Sequence, residues 1–450
     1  MRRITYLWAG LLCWAAALGL LALLLGGCEM PKYNYLERLD NSIGPSSSDD
    51  WVGKEVYLGD GRILRLTWRY GDPKLYMYVF DNEGNEDNPY GLVTQTDYNY
   101  MGNYSSVYSM DMIWDPTTER ALAFYSVYGA KRFYLVIQIN PDNTFTFNEV
   151  QQASSGYNLD KMAINPATGE IVRIYSAAYN VGTISGQTVT INPGTNTITL
   201  GPGHNLQAAE RISGTPFIFF NEASGKYLFV YQDRVTNAYR TAYMVHFKVL
   251  TVTGTSLSLG PEHTLSGGAV DLSTDHFQFT YGGYVYPLLH DDKILVMGNR
   301  LRSSGTGPSD STYLYGYLCV IDISSGSIVH GPVTAPPQLV TDSYGGSRVN
   351  FAWIPLINKY MMITQLGNSF NEDRWVRYFT IENNQVVFDE EATLIASWGD
   401  AAPSNIHWAP EYDKAIVHRG VGYTQKWDVF GPREDIFWTN WKGQTERLSE

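Results

Sequence analysis

Asp111-Met112-Ile113-Trp114-Asp115-Pro116 runs through Thr117-Thr118-Glu119 into Ala121-Leu122-Ala123-Phe124-Tyr125, and this arrangement decides the fold. A short strand ends on an aromatic residue, a polar turn follows, and a long apolar strand leaves the turn. The same order returns at Met162-Ala163-Ile164-Asn165-Pro166, with Thr168-Gly169 in the turn and Ile171-Val172-Arg173-Ile174-Tyr175 after it. It returns in Phe217-Ile218-Phe219-Phe220-Asn221 ahead of Tyr227-Leu228-Phe229-Val230-Tyr231, and in Phe351-Ala352-Trp353-Ile354-Pro355 ahead of Tyr360-Met361-Met362-Ile363. Ile406-His407-Trp408-Ala409-Pro410 precedes Ala415-Ile416-Val417 in the same way. Two fainter copies are Leu289-His290-Asp291-Asp292 before Ile294-Leu295-Val296, and Leu58-Gly59-Asp60-Gly61 before Ile63-Leu64-Arg65-Leu66. Aligned at Leu58, Trp114, Ile164, Phe220, Leu289, Trp353 and Trp408, the chain holds seven copies about 58 residues apart. Self-similarity at such a period marks a repeat architecture.

Within a copy the grain is β. The second copy offers strands near 109–114, 120–128, 132–139 and 144–150, rich in Val, Ile, Tyr and Phe and punctuated by Gly, Pro, Asn and Asp. Thr199-Leu200-Gly201-Pro202-Gly203-His204 and Ser258-Leu259-Gly260-Pro261-Glu262-His263 read as equivalent closing strands. Four short antiparallel strands per repeat, seven times over, resemble a β-propeller, whose ring leaves only short protected edges. The copies are similar to divergent blades of bacterial surface and phage-tail propellers with a strand–Asn/Asp–Ser/Thr–Gly–strand pattern. They lack the His and Trp-Asp pair of WD repeats and the paired glycines of kelch. The fold class implied is all-β, a seven-bladed propeller of four-stranded antiparallel blades over residues 51–445. Six blades follow if the faint first or fifth copy is an insertion; a β-solenoid or tandem sandwiches are the runner-up. Ring closure should set residues near 51–70 beside those near 405–440.

The chain has 450 residues, 45 acidic against 32 basic, for a formal charge of −13. Only 17% of residues are charged while 14% are aromatic, which excludes a disordered chain. No basic stripe offsets the acidic total, so nucleic acid is not a partner.

Ahead of the repeats, Arg2 and Arg3 precede an uncharged apolar run from Thr5 to Leu25 that ends in Leu25-Gly26-Gly27-Cys28. A positive start, an apolar stretch and a small-residue site read as a secretory signal peptide over 1–27. An uncleaved anchor is the alternative, since a run of this length can span a bilayer. Leu, two small residues and Cys resemble the lipobox of bacterial lipoproteins. That resemblance makes Cys28 the lipid-attachment residue and the first residue of the mature chain, held to a membrane by its acyl chains. Glu29 follows, where an aspartate would resemble an inner-membrane retention signal, so the outer membrane or cell surface is favoured. Cleavage removes two arginines and no acid, taking the charge from −13 to −15. Residues 28–50, rich in Asn, Ser, Pro and Asp, read as a flexible tether. Without Cys13 the mature chain has no disulfide, and Cys319, within Tyr317-Leu318-Cys319-Val320-Ile321, reads as a buried small hydrophobe.

No motif carries chemistry. None of the eight histidines forms His-x-x-x-His, so no local zinc site exists, and no metal or cofactor is assigned. His204 and His263 read as turn residues; His290 and His407, at first strands, are the histidines nearest a central channel. Gly-x-Ser-x-Gly and the sialidase box are absent. Asp81-Asn82-Glu83-Gly84-Asn85-Glu86-Asp87 misses the spacing of a calcium loop and reads as an acidic hairpin tip. Asp389-Glu390-Glu391 reads as a solvated strand edge. Trp114, Trp353 and Trp408 recur at one repeat position, which points to packing between blades rather than to a sugar platform.

Two functions fit: a non-catalytic envelope lipoprotein whose propeller binds a protein or glycan, and an extracytoplasmic polysaccharide hydrolase or lyase. The first is preferred because no catalytic residue announces itself, and the ligand-binding residues stay unassigned. Cells expressing the wild type should incorporate labelled palmitate into this protein, and Cys28→Ser should not. Label surviving the substitution would overturn the anchor.

Overall fold

In a computed structural model the described residues are 36–43, 50–58, 62–69, 74–81, 91–99, 107–127, 131–148, 151–155, 160–176, 183–207, 216–236, 241–265, 275–278, 284–303, 311–332, 340–341, 349–365, 371–389, 393–399, 403–409, 414–421 and 424–432. They form seven antiparallel sheets. The first strands are Asp50–Tyr57, Val107–Asp115, Asp160–Asn165, Phe217–Asn221, Tyr284–Leu288, Val349–Ile354 and Pro403–Ala409. Each ends within a residue of the strand end read from the repeat. The first strands of blades 1 and 2, 2 and 3, 3 and 4, and 6 and 7 lie side by side, so they form the inner wall of the ring. The chain is a seven-bladed β-propeller.

The core is divided. Six hydrophobic clusters are present among the described residues, and each is shared by two consecutive blades. Successive residues of a second strand point to opposite faces of the sheet, and they therefore go to different clusters. Leu122 and Phe124 pack against blade 3, while Ala121, Ala123 and Tyr125 pack against blade 1. Tyr227 and Phe229 face blade 3, while Leu228 and Val230 face blade 5. A strand covered on both faces has no reason to alternate with polar residues, which accounts for its unbroken hydrophobicity.

The first turns share one backbone solution. Glu119, Gly169, Gly225, Asp292 and Asn358 each occupy the left-handed region as the last turn residue, with φ from 52° to 70°. Asp115 accepts hydrogen bonds from the Thr117 amide at 2.9 Å and the Thr118 hydroxyl at 2.7 Å. Asn221 does the same for the Ser224 amide at 2.8 Å. These are the Asx-type bonds for which Asp and Asn are selected in turns. The next residue latches the ring. Arg62, Arg120 and Lys293 donate to Oδ1 of Asn143, Asn196 and Asn384 at 2.9, 2.9 and 2.7 Å, and Lys226 reaches the Gly326 carbonyl at 3.5 Å. In every case the acceptor is a left-handed residue in the third-to-fourth turn of the following blade.

Two expectations are corrected. Residues 28–50 are not tether throughout: Leu36–Ile43 is a strand that pairs antiparallel with Thr424–Pro432 and supplies the fourth strand of blade 7. Its apolar residues Leu36, Leu39 and Ile43 lack period-two spacing, and its pairing shifts register twice. Among the described residues the propeller thus begins at Leu36, not at residue 51, and the ring closes by joining the first and last described strands in one sheet. Asp50–Tyr57 also approaches Thr424–Pro432, as closure required. The two closing strands that look alike in sequence also differ. Ser256–Leu265 is continuous, whereas its counterpart is split at Gly201-Pro202-Gly203 into Thr197–Leu200 and His204–Gln207. Residues 1–27, read as a signal peptide, and Cys28 lie outside the described residues.

Phe229 is fully buried between blades 3 and 4. Phe229→Ala should lower the unfolding free energy in guanidinium titrations by about 3–5 kcal/mol, whereas Leu289→Ala, at an exposed turn, should change it by less than about 0.5 kcal/mol.

Candidate functional site

A chain of charges runs along the inner strands of blades 1 to 3. Asp111, on the first strand of blade 2, meets Lys54 of blade 1 at 3.3 Å and Lys161 of blade 3 at 3.6 Å through Oδ1. Its other oxygen accepts the Met162 amide at 2.8 Å. Behind this wall, Arg173 donates from Nε to Asp160 at 2.7 Å, with Nη2 of the same guanidinium at 2.6 Å. Nε of Arg132 stands 3.5 Å from the other Asp160 oxygen. The Arg173 guanidinium lies over the Phe124 ring at 4.0 Å, and Arg132 over Tyr175 at 4.9 Å. In blade 1, Arg65 pairs with Glu55 and covers Phe80 at 5.0 Å.

These groups are positioned by strand register. Glu55 stands opposite Arg65, and Met162 opposite Arg173, so one sheet face brings each acid to its base. Arg132, Asp160 and Arg173 are all buried. Burial brings the Arg132 guanidinium down to about 10, opposed by the charge of Asp160. It pushes the Asp160 carboxyl up, opposed by both arginines. Burial also lowers the Lys161 ammonium, against the pull of Asp111. Three acids, Glu55, Asp111 and Asp160, are thus met by five cations, Lys54, Arg65, Arg132, Lys161 and Arg173. Three of these cations, Arg65, Arg132 and Arg173, are buried on second and third strands, so the inner strands themselves set only Lys54 and Lys161 against these acids. Lys54 and Lys161 keep 36% and 24% of their side chains exposed while paired with Asp111.

None of these residues was singled out in the sequence. The signal was an arginine inside an apolar strand, in Ile63-Leu64-Arg65-Leu66 and Ile171-Val172-Arg173-Ile174. A charge at such a position is buried and needs a partner.

A second polar cluster sits at the outer edge of blade 4. Glu262 accepts from Tyr231, lies 3.1 Å from the Lys248 ammonium and 3.2 Å from Nδ1 of His246. His246 stacks on Tyr231 with centroids 4.9 Å apart, and Lys248 also donates to Gln207 of blade 3 at 2.7 Å. Burial raises the Glu262 carboxyl, but the hydrogen bonds from Tyr231 and Lys248 and the charge of His246 outweigh it and hold the group below its ordinary value.

The residues read from the sequence are dispersed. His290 is exposed on the first turn of blade 5 and lies flat on Trp353, centroids 3.6 Å apart. His204 meets the Thr255 carbonyl at 3.3 Å, and His263 is exposed on the next blade. The side chain of His407 lies outside the described residues. Trp114, Trp353 and Trp408 are half-buried against three different inter-blade clusters, as repetition at a strand end implied. Cys319 is buried between blades 4 and 5, where burial pushes its thiol up to about 12. Asp389 is not solvated as the charge run implied: it pairs with Lys359 at 2.6 Å and is largely covered. Residues 82–87 and 390–391 lie outside the described residues. Among the described residues no group of three His, Cys, Asp or Glu is placed to hold a metal ion.

The fold and this wall define a β-propeller with paired charges between its inner strands. No family model matches the chain, and no curated protein matches it. Among solved structures it is similar to the β-propeller domain of Nup133 from Vanderwaltozyma polyspora, at 10% identity and TM-score 0.47, covering 88% of this chain and 97% of that one. It is similar to a protein of Bacteroides uniformis provisionally assigned as a 6-phosphogluconolactonase, at 9% identity and TM-score 0.43, covering 75% and 83%. An auxiliary nutrient binding protein of Bacteroides thetaiotaomicron aligns at 10% identity and TM-score 0.34, covering 85% and 98%. The propeller assignment rests on the sheet topology.

Because Glu262 is held below its ordinary value of 4.5 only in the fold, its stabilising contribution is complete above that pH and is lost as pH falls through the folded value. Glu262→Gln should therefore lower stability at neutral pH and flatten the fall of Tm between about pH 5 and pH 3, read by thermal denaturation. Parallel pH profiles for variant and wild type would contradict this.

Proposed function

We propose that this chain is a lipid-anchored protein of the bacterial cell envelope, at the outer membrane or cell surface. Its propeller is a non-catalytic scaffold that binds an envelope protein or glycan. The leader ending in Cys28 supports the address. What supports binding over turnover is the state of three inner-strand carboxylates among the described residues. Glu55, Asp111 and Asp160 are each engaged by cations. A glycosidase needs two carboxyl groups free to act as acid, base or nucleophile across one bond. A carboxylate held by a cation, as Glu55 is by Arg65 and as Asp111 and Asp160 are by two each, serves neither role without first breaking that pairing.

An acidic protein gains nothing from counterion release on an acidic polymer. Affinity for the partner then comes mainly from aromatic burial, with charge tuning the rate of encounter. The test begins with crosslinking in intact cells and capture of the acylated protein. With the captured partner, raising salt from about 50 to about 500 mM should change Kd by less than about tenfold, because only rim charges are screened. One Tyr or Trp substitution on the binding face should cost about 2 kcal/mol or more. Incubation with a captured glycan should release no new reducing ends and no unsaturated uronate. Such products would assign the hydrolase or lyase instead, and binding abolished at moderate salt with no aromatic effect would refute the driving force.

A further inference from the structure

In every blade the first and third strands run one way and the second and fourth the other. The first-to-second and third-to-fourth turns therefore share one end of the ring, and the other connections share the opposite end. Leu36 pairs with Pro432, the last residue of the third strand of blade 7. The chain thus enters its closing strand from the end that carries the first-to-second turns. Eight Cα steps separate Cys28 from Leu36. They reach about 29 Å fully extended, and about 16 Å as a coil. A blade whose strands are eight residues long, such as Asp50–Tyr57, stands about 26 Å tall. A tether that starts at one end of the ring cannot bring the other end to the bilayer unless it is pulled taut along the whole blade.

We propose that the end bearing the first-to-second turns rests on the bilayer that holds the Cys28 lipid, and that the opposite end is presented to the partner. This rests on the lipid anchor of the proposed function. The surface chemistry of the resting end agrees with it. Tyr57, Leu289, Val329 and Val387 are large hydrophobic side chains exposed at this end. Leu289 is 78% exposed on the first turn of blade 5 and Tyr57 is 55% exposed at the end of its strand. The His290–Trp353 stack lies at the same end. Tyr, Trp and Leu are the side chains that settle into the headgroup zone. Glu119, Asp142 and Glu222 are exposed on these turns as well, so the surface suits zwitterionic headgroups and is repelled by anionic ones.

The test uses the full acylated chain in vesicles of phosphatidylcholine and phosphatidylethanolamine containing a headgroup spin label. A fluorophore is attached either at Leu289→Cys or at Asp97→Cys. Asp97 is 47% exposed at the opposite end, where Lys74 meets it at 2.9 Å. Cys319 is buried and stays unlabelled in the folded protein. The Leu289 probe should lose most of its emission on vesicle binding and the Asp97 probe should keep it. The loss should shrink when phosphatidylglycerol replaces the zwitterionic lipid. Acyl chains are weighed on the N-terminal peptide of the same preparation. Acylated protein with both probes quenched alike, or with Asp97 quenched more, overturns the orientation alone. Absence of acyl mass overturns the anchor and the orientation with it.

Discussion

Because the second strands of blades 2 to 6 are covered on both faces by neighbouring sheets, their successive side chains are divided between two hydrophobic clusters, and none of these blades can bury its own apolar surface alone. Phe229 completes a cluster with blade 3, and Leu228, one residue away, completes another with blade 5. Stability of this kind is shared around the ring, since each sheet is half of two cores. It also makes closure obligatory. An open ring would leave one face of the first and last blades in water, and the pairing of Leu36–Ile43 with Thr424–Pro432 joins the chain ends where that loss would fall.

The same enclosure governs the charges. An arginine on a two-faced strand has no route to solvent, so Arg173 must be met within the protein, and Asp160 and the Phe124 ring meet it. Leaving either charge alone there would cost several kcal/mol. The paired wall of blades 1 to 3 is therefore first a consequence of architecture. Lys54 and Lys161, both paired with Asp111, are the members of it that still reach solvent.

The closing strand changes what the leader means. A long flexible tether would let a propeller tumble freely above a membrane, while, on the proposed anchoring at Cys28, a connection of seven residues to the rim of blade 7 would restrict how the body sits.

The repeat of strand, Asx turn and apolar strand determined blade number and every first-strand end, because hairpins are local and turn chemistry is written in consecutive residues. The unbroken hydrophobicity of the second strands also showed that both faces would be covered. What the sequence could not show is which acid meets which base: Asp111 and Lys161 are 50 residues apart and meet because two first strands lie side by side in the ring. The strand Leu36–Ile43 was equally hidden, since its pairing shifts register twice and its partner stands nearly 400 residues away. Local patterns are set by backbone geometry along the chain, whereas long-range pairs are set by which strands the closed ring makes neighbours, and only the tertiary structure decides that.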